Sequence, residues 1–213
     1  MTSSLRSRSY ARRSQQQSGG LSAFELTSLS QSGFFFRDDF VSANAATGIR
    51  AEALALVSGG ALRAAGFGRD GKTDAKVRGD KLCWMEKSSA GPGVRPLMLA
   101  FEKIQQTVNR ELYLGVSRYE MQLAHYAPGS LGYTKHLDAF RGGPNRRLTA
   151  IYYLNPTWQP RDGGELALYL PNGELRVEPK NNRLLVFLAE EVEHAVLPVH
   201  ADRLALTAWF HRA

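Results

Sequence analysis

The chain has 213 residues, enough for one domain with a full core, and its 43% hydrophobic content is ordinary for a globular protein. No apolar run approaches the length of a bilayer crossing, so no membrane-spanning helix is expected. A single cysteine, Cys83, excludes an internal disulfide and fits a reducing, cytoplasmic setting. The net charge is +7, and more than half of it sits in residues 1–24, where Arg6, Arg8, Arg12 and Arg13 stand without one acidic residue.

Taken in chain order, residues 1–25 form a basic tail rich in Ser, Gln and Arg, with Gly19-Gly20 near its end. Its apolar surface is too small to offset ordering, so disorder is the expected state. An acid-poor, Arg-rich segment also fits an organelle transit peptide, or non-specific contact with nucleic acid. Residues 26–213 read as one domain, helical support over 26–115 and a β core over 116–213. Phe34–Arg37 is expected as a first strand. Asp38-Asp39 is expected to cap a helix over Ala43–Val57, broken by Ser58-Gly59-Gly60. Residues 66–81 are glycine-rich and charged and read as a mobile loop or lid. A second helix is expected over 94–112, because Leu97, Phe101, Ile104, Val108 and Leu112 recur at helical spacing.

From Arg118 onward the pattern is short strands and turns. Strands are expected over 119–126, 133–136, 148–154, 165–170, 175–177, 184–187, 194–199 and 204–211, with a hairpin turn at Pro171-Asn172-Gly173. Short strands without intervening helices point to an antiparallel jelly roll of the cupin type, a mainly β fold flanked by N-terminal helices. No basic helix or aromatic–basic stripe in this body supports specific nucleic-acid binding.

Three side chains stand out as metal ligands. His136 and Asp138 are two apart in Gly132-Tyr-Thr-Lys-His-Leu-Asp138, and on an extended segment such residues share a face. His194 offers a third ligand. Two histidines and one carboxylate leave three positions open on octahedral iron(II), the donor set of non-haem oxygenases. Downstream, the alternation of Arg203–Phe210 puts Leu204, Leu206, Ala208 and Phe210 on a core face and Arg203, Ala205, Thr207 and Trp209 on the other. A buried arginine needs a partner, and a carboxylate held by two parallel N–H groups suits it best. This strand therefore reads as the wall of an acid-binding pocket. On 122–126 the even-numbered face, ending in Tyr126, is polar or small and faces away from Met121 and Leu123.

His136-Leu-Asp138, His194 and Arg203 in this order resemble the iron(II)/2-oxoglutarate dioxygenases, specifically the prolyl 4-hydroxylase branch. The blocks Met121–Gly129, Gly132-Tyr133, Leu148–Asn155, Gly163–Leu166 and Arg183–Phe187 extend the likeness over residues 33–213. Val77–Trp84 resembles the substrate loop of the oxygen-sensing prolyl hydroxylases and their bacterial relatives. The resemblance implies a double-stranded β-helix that uses Fe(II), 2-oxoglutarate and O2, releases succinate and CO2, and takes ascorbate as a candidate reductant. It implies that His136, Asp138 and His194 hold the metal. Arg203, Tyr126 and Tyr153, with Thr207 beside them, would bind 2-oxoglutarate. Arg78, Asp80, Trp84 and Arg146, with Trp209, would bind a prolyl-containing protein, for which a translation elongation factor is the candidate by analogy. The oligomeric state reads as a monomer or weak dimer.

Other readings stand beside this one: a hydroxylase of a free amino acid or small metabolite, a hydroxylase of a polyprolyl or collagen-like substrate, a non-catalytic metal-bound cupin module, and a zinc hydrolase on the same three ligands. Glu193 is a candidate acceptor for the ring of His194. His125, His200 and His211 lack a ligand partner at a diagnostic spacing, and Cys83 reads as packing.

Overall fold

The computed structural model describes residues 20–66, 72–139 and 146–212. Three helices come from the N-terminal half: α1 (Ala23–Ser32), α2 (Ala43–Ser58) and α3 (Arg95–Leu112). Eleven strands are described: β1 (Phe34–Arg37), β2 (Arg63–Ala64), β3 (Lys81–Met85), β4 (Val116–Tyr126), β5 (Tyr133–His136), β6 (Arg146–Tyr153), β7 (Leu166–Leu170), β8 (Gly173–Val177), β9 (Leu184–Leu188), β10 (Glu193–Val196) and β11 (Arg203–Arg212).

The strands form two antiparallel sheets, ordered β1-β9-β6-β11-β4-β3-β2 and β5-β10-β7-β8. The eight strands from β4 to β11 correspond to the eight expected from the sequence and build the jelly roll. β1, β2 and β3 extend its larger sheet.

Each face of the larger sheet has its own core. One face packs against the helices through Leu204, Leu206, Ala208 and Phe210 of β11, Met121 and Leu123 of β4, and Leu97, Phe101, Ile104 and Val108 of α3. The opposite face meets the smaller sheet through Ala124, Ile151, Tyr153 and Ala205, with Leu166 and Leu168 across the gap. The central strands thus bury both faces, which is why β11 is apolar or uncharged at nearly every position between Arg203 and Phe210. The β7–β8 hairpin closes between Leu170 and Gly173, and the positive φ of 122° falls on Gly173 alone.

Three local expectations are revised. The tail does not run to residue 25: Ser22 and Glu25 form a reciprocal capping box that starts α1, so described structure begins at Gly20, inside the expected tail. Ser42, rather than Asp38 or Asp39, caps α2 by accepting from Ala45 N. Asp38 is instead taken by Arg183, at 2.6 and 2.9 Å. Of the expected lid at 66–81, residues 67–71 lie outside the described residues, and Lys81 already belongs to β3.

α3 begins without a side-chain cap of its own. Glu52 of α2 supplies one by accepting from Gly91 N and Val94 N at 2.7 and 3.0 Å, which ties the two helices together.

Asn182 joins helices to sheet. Its Oδ1 accepts from Val41 N and from the Tyr152 hydroxyl, while its Nδ2 donates to Val41 O. It adopts φ 60°, which asparagine tolerates better than most residues. Replacing Asn182 by Ala strands these partners in a buried place. The variant should lose about 2–4 kcal/mol by chemical denaturation, whereas a loss below ~0.5 kcal/mol, the size of an ordinary surface change, would contradict this role.

Candidate active site

Between the two sheets lies a cavity of about 670 Å³, within the size range of small-molecule sites. Its walls come from the inward face of β3, β4, β6 and β11 and from β5 and β10 opposite. At its centre the register of β5 and β10 sets His136 directly across from His194. Asp138 follows two residues past His136 and places Oδ1 3.7 Å from His136 Nε2 and Oδ2 3.7 Å from His194 Nε2. The ligand atoms of all three residues lie within 4.8 Å of one another. Such a spread surrounds one cation.

The surroundings of the three side chains prepare them for that cation. His136 Nδ1 sits 2.7 Å from Thr134 O, and His194 Nδ1 sits 3.1 Å from Val192 O. A backbone carbonyl can only accept, so each ring carries its proton on Nδ1 and turns the lone pair of Nε2 toward Asp138. The expected acceptor Glu193 is not the partner of His194; it is exposed on the strand and pairs with Lys135 at 2.6 Å.

Thr149 of β6 donates its hydroxyl to Asp138 Oδ2 at 2.7 Å, leaving Oδ1 free. Burial alone would push the Asp138 carboxyl up. The facing imidazoles and the Thr149 hydroxyl outweigh it and hold the group well below the usual carboxylate range. Burial lowers His194 against the pull of Asp138, which keeps the imidazole neutral and able to ligate. Two imidazoles and one carboxylate at this spacing fit iron(II).

Tyr133 was not anticipated as a site residue beyond its place in a family block. Its ring stacks on His136 at 3.7 Å with an interplanar angle of 24°.

At the inner end lies Arg203, only 3% exposed. Its Nε donates to Gly164 O at 2.7 Å, and among the described residues no carboxylate pairs with it. Gly164 is needed for that approach, since a Cβ there would lie 2.8 Å from Arg203 Cδ on a backbone with φ 75°. The rings of Tyr126 and Tyr153 flank the guanidinium at 5.1 and 5.3 Å. The Tyr153 hydroxyl is buried and makes no hydrogen bond, and burial pushes its phenol up to about 12, against the nearby Arg203 charge. It is therefore a neutral donor without an acceptor. Thr207 lines the same wall, with Ala205 between it and Arg203. A buried cation and an unused phenol donor beside it match one distal carboxylate of a bound diacid.

At the mouth, Trp84 is 54% exposed and packs against Trp209 with ring centroids 5.9 Å apart. Arg146 lies 4.3 Å over the Trp209 ring and donates to Glu120 Oε1 at 2.7 Å. His211 approaches the same Glu120 at 3.2 Å. Together His211 and Arg146 hold the Glu120 carboxyl down at about 2. Arg78 also lines the cavity, and Asp80 holds it from behind through a bidentate pair at 2.8 and 3.0 Å. The Asp80 side chain is fully sealed, so it acts through Arg78 and does not face the cavity.

Fold and site together describe a jelly-roll protein with a His–Asp–His trio spaced for one metal ion and a buried arginine beside it. Residues 121–211 match the sequence profile of the 2OG-Fe(II) oxygenase superfamily. The chain superposes on the crystal structure of a prolyl-4-hydroxylase from Pseudomonas putida with TM-score 0.82 and 34% identity, covering 89% of this chain and 98% of that one. A Trichoplax adhaerens prolyl hydroxylase, solved with a hypoxia-inducible factor peptide fragment, gives TM-score 0.82 at 27% identity, over 88% of this chain and 87% of that one. Human Egl nine homolog 1 is 33% identical over 144 residues, 64% of this chain, which spans about a third (34%) of that relative's length. Mouse prolyl hydroxylase EGLN3 is 28% identical over 194 residues, 87% of this chain and 81% of that one. The chain belongs to the 2OG-Fe(II) oxygenase superfamily.

Thr149 gives a direct test of how the trio is built. Thr149→Val keeps the shape and removes the donor to Asp138, and it should weaken Mn(II) or Co(II) affinity by about tenfold or more. Calorimetric titration measures this, and an unchanged affinity would show that Asp138 needs no such orientation.

Proposed function

We propose that this protein hydroxylates a prolyl residue of a protein substrate at the 4-position, using Fe(II), 2-oxoglutarate and O2. The observation that carries the proposal is Arg203, buried and, among the described residues, without a carboxylate partner, on the wall that also meets the His136–Asp138–His194 trio. A bare metal-binding module has no use for such a cation. The likeness to prolyl hydroxylases at both sequence and fold level supports the prolyl target.

His136 Nε2, His194 Nε2 and Asp138 Oδ1 would hold the iron, and Thr149 would keep Asp138 turned toward it. When bound, iron with 2-oxoglutarate and O2 supplies an oxidant able to break an aliphatic C–H bond, with succinate and CO2 as by-products. Arg203 would grip the far carboxylate of 2-oxoglutarate, and Tyr153 would donate to it. Tyr126 and Thr207 would close the sides and limit how the diacid can turn. Leu166 and Val196 add apolar surface to the cavity lining, which would help keep water from the reacting atoms. Arg78, Trp84, Arg146 and Trp209 would receive the substrate chain at the mouth.

The proposal extends to ascorbate as the reductant that restores iron(II) and to a translation elongation factor as the target, by analogy with bacterial relatives. It places a monomer or weak dimer in the cytoplasm, consistent with the lone Cys83. Among the described residues no helix is long and apolar enough to cross a membrane.

Two measurements on one assay test this reading. Succinate release from 2-oxoglutarate should require added iron and rise when a prolyl protein substrate is present; turnover that ignores both would overturn the proposal. Arg203→Met should raise the KM for 2-oxoglutarate by ~10²-fold, because it removes a charge-assisted pair and strands the diacid. An unchanged KM would remove Arg203 from the clamp.

A further inference from the structure

Among the described residues, four arginines line the cavity: Arg63, Arg78, Arg146 and Arg203. Asp80 holds Arg78, Glu120 holds Arg146, and Arg203 is the buried cation assigned above to the diacid. Arg63 stands apart from these three. It is exposed at the rim on β2, and its guanidinium donates to Gly60 O at 2.7 Å and Leu62 O at 3.2 Å. Among the described residues no carboxylate pairs with it.

The sheet register shows which way Arg63 faces. Register partners on neighbouring strands share a face of the sheet. Arg63 is the partner of Leu82, Leu82 of Ala124, Ala124 of Ala205, and Ala205 of Tyr153. One row therefore crosses five strands, from the phenol beside Arg203 to Arg63, through three apolar side chains that bring no charge. β2 ends the sheet, so Arg63 marks its open edge. Thr149, which bonds to Asp138, lies four strands away, about 20 Å at the usual strand spacing. A free amino acid held at the trio does not reach that far; an extended chain does so in about six residues.

The charge around Arg63 has one sign. The described residues from Arg63 to Lys81 include Arg63, Lys72, Lys76, Arg78 and Lys81 against Asp74 and Asp80, a net of +3. Asp80 is sealed behind Arg78, and Asp74 accepts from Lys76 N. This flank of the mouth thus presents cations to solvent. Uncompensated rim charge selects partners of opposite sign and speeds their arrival.

We propose that Arg63 is a specificity-determining residue that pairs with a carboxylate side chain of the substrate, away from the target prolyl residue. This rests on the reading of the protein as a prolyl hydroxylase. The two paired side chains cover part of the span, which puts the acidic residue about three to six positions from the prolyl one. The protein therefore favours prolyl segments flanked by Asp or Glu.

A pool of peptides with one central prolyl residue and randomised flanks tests this. The pool is offered to protein supplied with iron(II), 2-oxoglutarate and O2, and hydroxylated products are sequenced by mass spectrometry. Asp and Glu should be enriched about two- to fivefold at positions in that range, the strength of an exposed ion pair. The enrichment should fade in high salt, which screens such pairs. Arg63→Lys should keep it, Arg63→Ala should lose it, and Arg63→Glu should turn the preference toward Lys and Arg at the same positions. Enrichment compares peptides within one reaction, so a change in overall rate leaves it unaffected. No acidic enrichment with the unaltered protein, or one that survives Arg63→Glu, would overturn this role of Arg63 alone. A pool left wholly unhydroxylated while iron-dependent succinate release continues would instead overturn the prolyl reading beneath it.

Discussion

Strand β11 is buried along nearly its whole length, and its pairing with β4 on one side and β6 on the other decides what every cavity residue can do. Side chains alternate along it, so Leu204, Leu206, Ala208 and Phe210 enter the core beneath the helices while Arg203, Ala205, Thr207 and Trp209 face the site. A slip of one residue would drive the guanidinium of Arg203 into hydrocarbon and bring leucines into the cavity. Gly164 lets its carbonyl approach the buried charge, and in the proposed reading a diacid completes the pairing. The register that builds the core therefore also sets which side chains face the cavity.

The metal trio depends on a second pairing, between β5 and β10, which brings His136 opposite His194. That pairing also reaches the loop before β3. Gly79 N donates to Gly132 O, and Thr134 N donates to Val77 O, so this loop base is laced to β5. Arg78 lies 4.9 Å over the ring of Tyr133, whose other neighbour is the stacked imidazole of His136. Gly132 permits the close approach of this segment to β10, since any Cβ there would lie 2.0 Å from Val196 O. The base of this loop and His136 of the candidate trio therefore meet on either side of Tyr133.

Much of this was legible in the sequence because it obeys simple periods. The two-residue spacing of His136 and Asp138, the alternation from Arg203 to Phe210, and the 3.6-residue repeat of Leu97, Phe101, Ile104 and Val108 each predict a shared face, and each face is found. What escaped depends on contacts between distant segments. Thr149 reads as an ordinary β-branched strand residue; only the fold shows it donating to Asp138, eleven positions back in sequence. Asp38 looks like a helix cap until Arg183 arrives from β9's approach and claims it. α1 was missed because its stripe is weakly apolar, although the capping box Ser22–Glu25 was a usable signal. Gln122 was seen as a polar residue on a cavity face, but its lack of a partner is visible only in three dimensions.

The measurement that bears most directly on the whole account is the fate of molecular oxygen. Protein supplied with iron(II), 2-oxoglutarate, a prolyl protein substrate and isotopically heavy O2 should yield one heavy oxygen in succinate and one on a prolyl ring for each turnover, located by peptide mass spectrometry. Both labels should vanish together in Asp138→Ala. Succinate labelled without any labelled prolyl residue, or labelled product that persists when Asp138 is removed, would contradict the assignment of this site to prolyl hydroxylation.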